Sequence, residues 1–313
     1  MSLAIGLVGL GAIARAQHLP AIAATGGVHL AAIASRNASL PDCPSYPDLA
    51  AMLAAEPGLA AVSLCTPPQG RFDQAMQVLR AGRHLMLEKP PAATLTEAEI
   101  LRDEAARRGL TIFATWHSRE GRAVDAARRW LSVRKVRQVR IDWREDVRKW
   151  HPGQDWIWQP GGLGVFDPGI NALSLLTTLM ADPVILRAAS LDIPEGRQTP
   201  IAAQLALSAG AVAIEAEFDW REQGGETWQV GFETTNGTAC LRDGGVSDLV
   251  IVGAMSHMCI DATTRAAKDM DFNCTVARDA CATCDMEFDG QVVPAAQVHA
   301  AFMGALAQAY ASV

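Results

Sequence analysis

Positive charge, long apolar runs and aromatic side chains are all scarce in this chain, and the first two scarcities each remove a class of function. Lysine and arginine number 27 against 34 aspartates and glutamates in 313 residues, a formal net charge of -7. Such a balance exerts no pull on nucleic acid or on an anionic membrane, so neither is expected as a partner. No apolar run approaches the roughly 18 residues a spanning helix needs, and no basic segment leads into an apolar one at the start. The seven cysteines are odd in number and lack disulfide-like spacing. That suits a reducing compartment and points to the cytoplasm. Aromatics make up 6% and include two tyrosines, yet eight are tryptophan, most of them in one central stretch.

What is present is apolar bulk, 50% of the chain, enough for two cores. Its distribution is uneven. Five of the seven cysteines (Cys240, Cys259, Cys274, Cys281, Cys284) fall in the last quarter, and no tryptophan follows Trp228. Composition therefore changes near residue 240, as at a join between sequences of different origin.

The chain opens on a buried-strand run at residues 3–8, followed by the turn Gly9-Leu10-Gly11-Ala12-Ile13-Ala14 and a helix through Leu19-Pro20. Gly9 permits a tight turn, Gly11 lets backbone approach phosphate, and Ala14 allows close helix packing. The helix start at Ala12 and Ile13 offers free N–H groups to a pyrophosphate. The next strand, His29 to Ala34, ends in Ser35-Arg36, where a dinucleotide lacking a 2′-phosphate usually meets a carboxylate. Serine and arginine can instead bind that phosphate, so NADP is expected to bind at least as well as NAD. A solvated loop arginine is the plainer alternative. A third strand, Ala60 to Cys65, runs into Thr66-Pro67-Pro68, and a later one, His84 to Leu87, runs into Glu88-Lys89-Pro90. Carboxyl ends of parallel strands face the ligand. Lys89 there is a candidate general base, at the strand exit where a bound cofactor would lie.

That order of motifs (GxGxxA, Ser-Arg, Cys-Thr-Pro-Pro, Glu-Lys-Pro) resembles the glucose-fructose oxidoreductase/inositol dehydrogenase family of NAD(P)-dependent sugar oxidoreductases. The resemblance implies that Lys89 is catalytic, that Glu88 positions the cofactor, and that the cofactor, NADP or NAD, lies along Gly9, Gly11, Ala12, Ile13, Ser35, Arg36, Cys65, Thr66 and Pro67.

A second half opens with a helix over Ala123 to Leu131, then Trp143-Arg-Glu145-Asp146 and Arg148-Lys-Trp150-His151-Pro152. Aromatic faces beside carboxylates suit a sugar, although for any one tryptophan core or interface packing is the better reading. In Gly161-Gly162-Leu-Gly164-Val-Phe-Asp167-Pro168-Gly-Ile-Asn171, Asp167 reads as an N-cap with Pro168 at the first helical position. Asn171, four residues on, shares its face. The resembled family has this aspartate, followed in many members by histidine where Asn171 stands. Asparagine exchanges no proton near neutral pH, so Lys89 is the expected base, with Asp167 and Asn171 orienting the substrate. The fuller pattern is similar to that family's bacterial aldose 1-dehydrogenases of the L-arabinose and D-galactose type, over residues 3–238. It implies a sugar site lined by His117, Glu145, Trp150, Asp167, Asn171 and Trp228. The implied reaction is oxidation at C1 to an aldonolactone by hydride transfer. No metal is expected. Pairing of an open sheet face into a homodimer is also implied.

After residue 240 the pattern alternates strand and helix: a strand at Asp248 to Gly253, a helix at Asp261 to Lys268, a strand at Cys274 to Ala277, a helix at Ala295 to Tyr310. Alternation of this kind indicates parallel βαβ architecture. Residues 246–310, notably Val252-Gly-Ala-Met-Ser-His-Met-Cys259-Ile-Asp, resemble the C-terminal part of isochorismatase-like cysteine hydrolases. Cys259 matches their nucleophile at a helix start. The aspartate and lysine that family also uses have no counterpart motif here, so an inert Cys259 is expected. Cys281-x-x-Cys284 lacks the second pair that a zinc site needs.

The expected fold is α/β: a doubly wound Rossmann sheet over 1–121, an α+β substrate domain with a largely antiparallel open sheet over 122–240, and a βαβα tail over 241–313 that reads as a fusion or chimera. Aldose oxidation is the leading function. A cysteine hydrolase built on Cys259, or a sugar/NADP sensor without turnover, are the alternatives.

Overall fold

The computed structural model describes residues 2–242, 248–268 and 272–313. It divides into two compact units, Met1–Trp116 with Asp155–Leu163, and His117–Gln154 with Gly164–Val313. In the first unit, apolar runs become strands β1 (Leu3–Val8), β2 (Val28–Ala34), β3 (Ser45–Tyr46), β4 (Ala61–Leu64), β5 (His84–Leu87) and β6 (Ile112–Ala114). They pair in the order β3-β2-β1-β4-β5-β6, parallel throughout. The order reverses between β1 and β4, which is where such a sheet opens its binding crevice.

The strands are apolar on both faces because both are covered. Leu7, Leu10 and Ile33 anchor one cluster, while Val8, Val62, Leu64 and Leu87 anchor the other. Each such fully buried side chain stabilises the fold by roughly 1.5–3 kcal/mol. Helices α1 (Leu19–Ala24), α2 (Leu49–Ala55), α3 (Arg71–Arg80) and α4 (Leu95–Arg107) connect the strands. Thr94 caps α4 in a reciprocal box with Glu97. The closing strand β6 is short, and the chain soon turns into a 3-10 segment at His117–Glu120.

The second unit starts with α5 (Arg122–Ser132) and carries an eight-stranded sheet. Its strands are β7 (Val136–Arg144), β8 (Val184–Asp192), β9 (Ala202–Ala209), β10 (Val212–Asp219), β11 (Thr227–Thr234), β12 (Gly237–Leu241), β13 (Asp248–Ala254) and β14 (Asn273–Ala282). The order is β14-β13-β12-β11-β7-β10-β9-β8, mostly antiparallel, with β10–β7 and β13–β14 parallel. Period-2 alternation sends Val139, Ile141 and Trp143 into the core while Arg140 faces out. Helix α6 (Val147–Trp150) follows β7, and α7 (Phe166–Leu179) packs on β7 and β11.

In the tail, β13, α8 (Asp261–Lys268) and β14 form the parallel βαβ unit that the alternation predicts. Its first strand ties the unit into the eight-stranded sheet: Cys240 on β12 faces Val250 on β13 across an antiparallel pair. A hairpin, β15 (Met286–Phe288) with β16 (Gln291–Val293), leads to α9 (Ala295–Ala309). Backbone bonds from Val276 N to Ser312 O (2.7 Å) and from Ser312 N to Cys274 O (2.9 Å) then cover part of the β14 edge.

Candidate active site

Along the carboxyl edge of the first sheet, successive strand ends deliver the residues that the motifs single out. Ser35 follows β2, Gly9 follows β1, Cys65 follows β4, Glu88 and Lys89 follow β5, and Thr115 follows β6. Ladder bonds hold this row: Gly9 N to Ala34 O (2.9 Å), Cys65 N to Val8 O (2.8 Å), Glu88 N to Leu64 O (3.1 Å). Gly9 has φ +88°, and a side chain there would stand 3.0 Å from Thr66 Cγ2 and 3.2 Å from Cys65 backbone. Nothing lies within 4 Å of where a Gly11 Cβ would sit. Gly11, Ala12 and Ile13 are exposed, and the helix starting at 12 passes through a π-helical turn, Ala14–His18, into α1. An exposed helix start above an empty glycine turn fits a dinucleotide pyrophosphate. Ser35 is half-buried and Arg36 and Pro67 are exposed on the same edge.

Lys89 is half-buried, and its backbone N–H donates to Glu88 Oε2 at 3.1 Å. Glu88 Oε1 meets His18 Nε2 at 2.6 Å, and Ser63 Oγ lies 3.1 Å from His18 Nδ1. His18 is 6% exposed. Side-chain hydrogen bonding toward Cys65, then toward Glu88, pushes its pKa up to about 10 despite burial. Burial would raise Glu88, but hydrogen bonding to His18 and the His18 charge prevail and hold it below the usual carboxylate range. The pair is an ion pair at neutral pH. His18 carries no obvious signal in the sequence, since only folding brings a π-turn against the end of β5.

In the second unit, ring and carboxylate contacts link most of the expected sugar residues. Trp228 stacks on Trp143 at 6.1 Å and 22°, and Trp150 tilts against Trp228 at 5.9 Å. Glu145, buried, accepts from Trp143 Nε1 at 3.0 Å and from Trp220 Nε1 at 3.3 Å. Trp150 is 44% exposed, donates Nε1 to Glu226 and lies 4.8 Å beneath the Lys149 amine. His117 is exposed on a 3-10 turn that packs against α7.

Asp167 corrects one expectation. It does not cap α7: the helix begins at Phe166, Val165 is the flanking residue, and Asp167 lies inside the first turn. The cause is upstream. Gly164, at φ +54°, turns so tightly that a Cβ would meet Pro200 O at 2.2 Å, and Val165 N bonds that same oxygen at 2.7 Å. The Asp167 carboxylate instead reaches His151 Nε2 at 3.2 Å. His151 Nδ1 lies 3.2 Å from Gln154 Oε1, and its ring packs 5.1 Å from Trp220. Sequence reasoning did not select His151; its only signal was the Trp-His-Pro run beside two charged residues. One turn beyond Asp167, Asn171 Oδ1 is buried without a hydrogen-bond partner, as is Trp228 Nε1.

In the tail, Cys259 sits half-buried in a π-turn, Ser256–Ile260, ahead of α8. Burial lowers the Arg134 pKa, and the neighbouring Cys259 opposes that shift. All seven cysteines are free, and among the described residues no group of His, Cys, Asp or Glu could hold a metal ion. Among the same residues, no helix is long and apolar enough to cross a membrane.

The profile of an oxidoreductase family with an NAD-binding Rossmann fold matches residues 3–115, and an isochorismatase domain profile matches residues 229–311. The chain is 44% identical over 244 residues to a galactose 1-dehydrogenase of Pseudomonas fluorescens, covering 77% of this chain and 78% of that one. A crystal structure of a D-galactose-1-dehydrogenase protein from Rhizobium etli superimposes with a TM-score of 0.76 at 47% identity, covering 80% of this chain and 81% of that one. The C-terminal part is 48% identical over 82 residues to an uncharacterized isochorismatase family protein of Bacillus subtilis. That match covers 26% of this chain and 46% of the relative.

Proposed function

Since the chain belongs to the oxidoreductase family with an NAD-binding Rossmann fold, we propose that it oxidises an aldose of the D-galactose or L-arabinose type at C1 to the aldonolactone. The observation that carries this reading is 44–47% identity to galactose 1-dehydrogenases across about four-fifths of the chain. When bound, NAD(P) supplies the acceptor that takes the C1 hydrogen with its electron pair. Lys89 accepts the proton of the anomeric hydroxyl. Gly9, Gly11, Ala12 and Ile13 cradle the pyrophosphate, and Cys65, Thr66, Pro67 and Glu88 line the edge beside it. Ser35 and Arg36 take the 2′-phosphate, which favours NADP at least equally with NAD.

Asp167, oriented by His151, and Asn171 hold sugar hydroxyls, and the unpaired Asn171 Oδ1 and Trp228 Nε1 supply an acceptor and a donor for them. His117, Glu145 and Trp150 complete the sugar wall. A homodimer through the open sheet face is supported by mixed charge there, with Arg140, Arg144, Glu215 and Glu217 on neighbouring strands. Seven free cysteines support a cytoplasmic location.

The test is dinucleotide reduction at 340 nm with D-galactose and L-arabinose, using wild type and Lys89→Ala. Turnover with either sugar, lost in the variant, supports the reading. Tight NADP binding without turnover of any aldose would favour a sensor. Ester or amide hydrolysis abolished by Cys259→Ala would favour the hydrolase, which the isochorismatase similarity of residues 229–311 keeps in view.

A further inference from the structure

Two buried cationic side chains hold the segment around Lys89, Arg71 through its backbone and His18 through the Glu88 carboxylate. Arg71, the first residue of α3, is 2% exposed. Its Nε donates to Thr66 O at 2.9 Å, joined there by Nη2. Nη1 donates to Glu88 O at 2.5 Å and also to Pro90 O. One guanidinium thus ties the loop after β4 to the carbonyls on both sides of Lys89. Independently, His18 fixes one oxygen of Glu88 while the other accepts the Lys89 N–H at 3.1 Å. A rigid planar fork can bridge several carbonyls at once; an ammonium, a compact point charge, cannot do so from the same place.

We propose that Arg71, backed by the His18–Glu88 pair, is the positioning residue for Lys89, setting where its amine stands on the sheet edge that receives the dinucleotide. The proposal rests on the reading of Lys89 as the base. Three of its geometric supports are internal to the first unit: the shared Thr66 carbonyl, the paired carbonyls flanking Lys89, and the Glu88 carboxylate held between His18 and the Lys89 amide. Displacing a reacting group by about 1 Å costs on the order of 100-fold in rate, so small losses of restraint here are visible in kcat. The clamp acts on the base rather than on the affinity of either substrate.

Arg71→Lys, Arg71→Gln and His18→Gln are compared with wild type for steady-state kinetics, dinucleotide affinity by fluorescence and thermal unfolding. Without dinucleotide, labelling of Lys89 by trinitrobenzenesulfonate is followed by peptide mass spectrometry, with the exposed Lys149 as internal standard. For the Arg71 variants, kcat falls roughly 10- to 100-fold, while sugar KM and dinucleotide Kd stay within about threefold of wild type. Lys89 labelling relative to Lys149 rises several-fold. Unchanged kcat and labelling overturn the proposal. So does a fall in kcat matched by an equal loss of dinucleotide affinity, which marks a merely structural role. If the Arg71 variants fail to fold, His18→Gln, which loosens the same segment through the Glu88 side chain, carries the test by the same criteria. Lys89→Ala separates the two readings: full activity there removes the base assignment, whereas an inactive Lys89→Ala beside an unimpaired Arg71→Lys removes only the positioning role.

Discussion

Because His18 is raised to about 10 in the folded chain, against 6.5 as its ordinary value, the stability it contributes is complete below pH 6.5 and is lost as pH climbs toward 10. Glu88, lowered from 4.5, contributes stability that is present above 4.5 and lost as pH falls through its folded value. The His18–Glu88 contact enters both shifts, with Cys65 adding to that of His18, and their joint contribution to stability is fullest between about 4.5 and 6.5. Urea unfolding from pH 6.5 to 10 should therefore show a decline on the order of a few kcal/mol in wild type that flattens in His18→Gln. A second residue-scale expectation concerns Asn171. Its buried, unpaired Oδ1 is an acceptor awaiting a partner, and a hydrogen bond of that kind is worth about 0.5–1.5 kcal/mol. Asn171→Ala should raise sugar KM roughly 3- to 10-fold with dinucleotide affinity unchanged; an unaltered KM would exclude Asn171 from the sugar site. Lys89 and Glu88 were readable as a motif because neighbours in sequence stay neighbours. His18, Arg71 and His151 were not, since each meets a carboxylate or carbonyl that only folding brings near.

At the level of elements, the start of α7 depends on a single glycine. Gly164 holds φ +54° and faces Pro200 O where a Cβ would need to be, 2.2 Å away. Gly164→Ala should cost on the order of 2 kcal/mol or more, read as a lower urea midpoint. It should also raise sugar KM, since Asp167 and Asn171 both ride on this helix. Stability and KM both at wild-type values would refute the account. Periodicity alone located α5, α8 and α9 to within a residue or so, because each has an apolar stripe and a clear stop. The end of α7 that matters for the site was misplaced. Asp-Pro carries the usual signature of a cap, but the Pro200 carbonyl, reached only in the folded chain, takes over that role and moves the helix start upstream.

On the scale of the whole molecule, the tail is an edge of the second sheet. Ending the chain after Leu241 would strip β13 from β12 and leave the unpaired row of β12 open to other chains, a known route to aggregation. Such a truncated protein should appear in the insoluble fraction or show a markedly lower melting temperature, whereas Cys259→Ala in the full chain should leave dehydrogenase turnover unchanged. A soluble, fully active truncation would show that the tail is dispensable. The parallel character of β13 and β14 was legible, as was the change in composition near residue 240, because alternation and residue usage are properties of the string itself. That β13 would pair antiparallel with β12, and that Asp155–Leu163 would fold with the first unit through Gln69 and the carbonyls of Trp156 and Pro160, were not. Strand and helix periods, the glycine turn and the Glu-Lys-Pro step follow from local sterics and burial, so the order of residues alone determined them. Which buried cation meets which carbonyl, and which sheet an edge strand joins, follows from contacts between segments distant in the chain, and only the tertiary structure decided those.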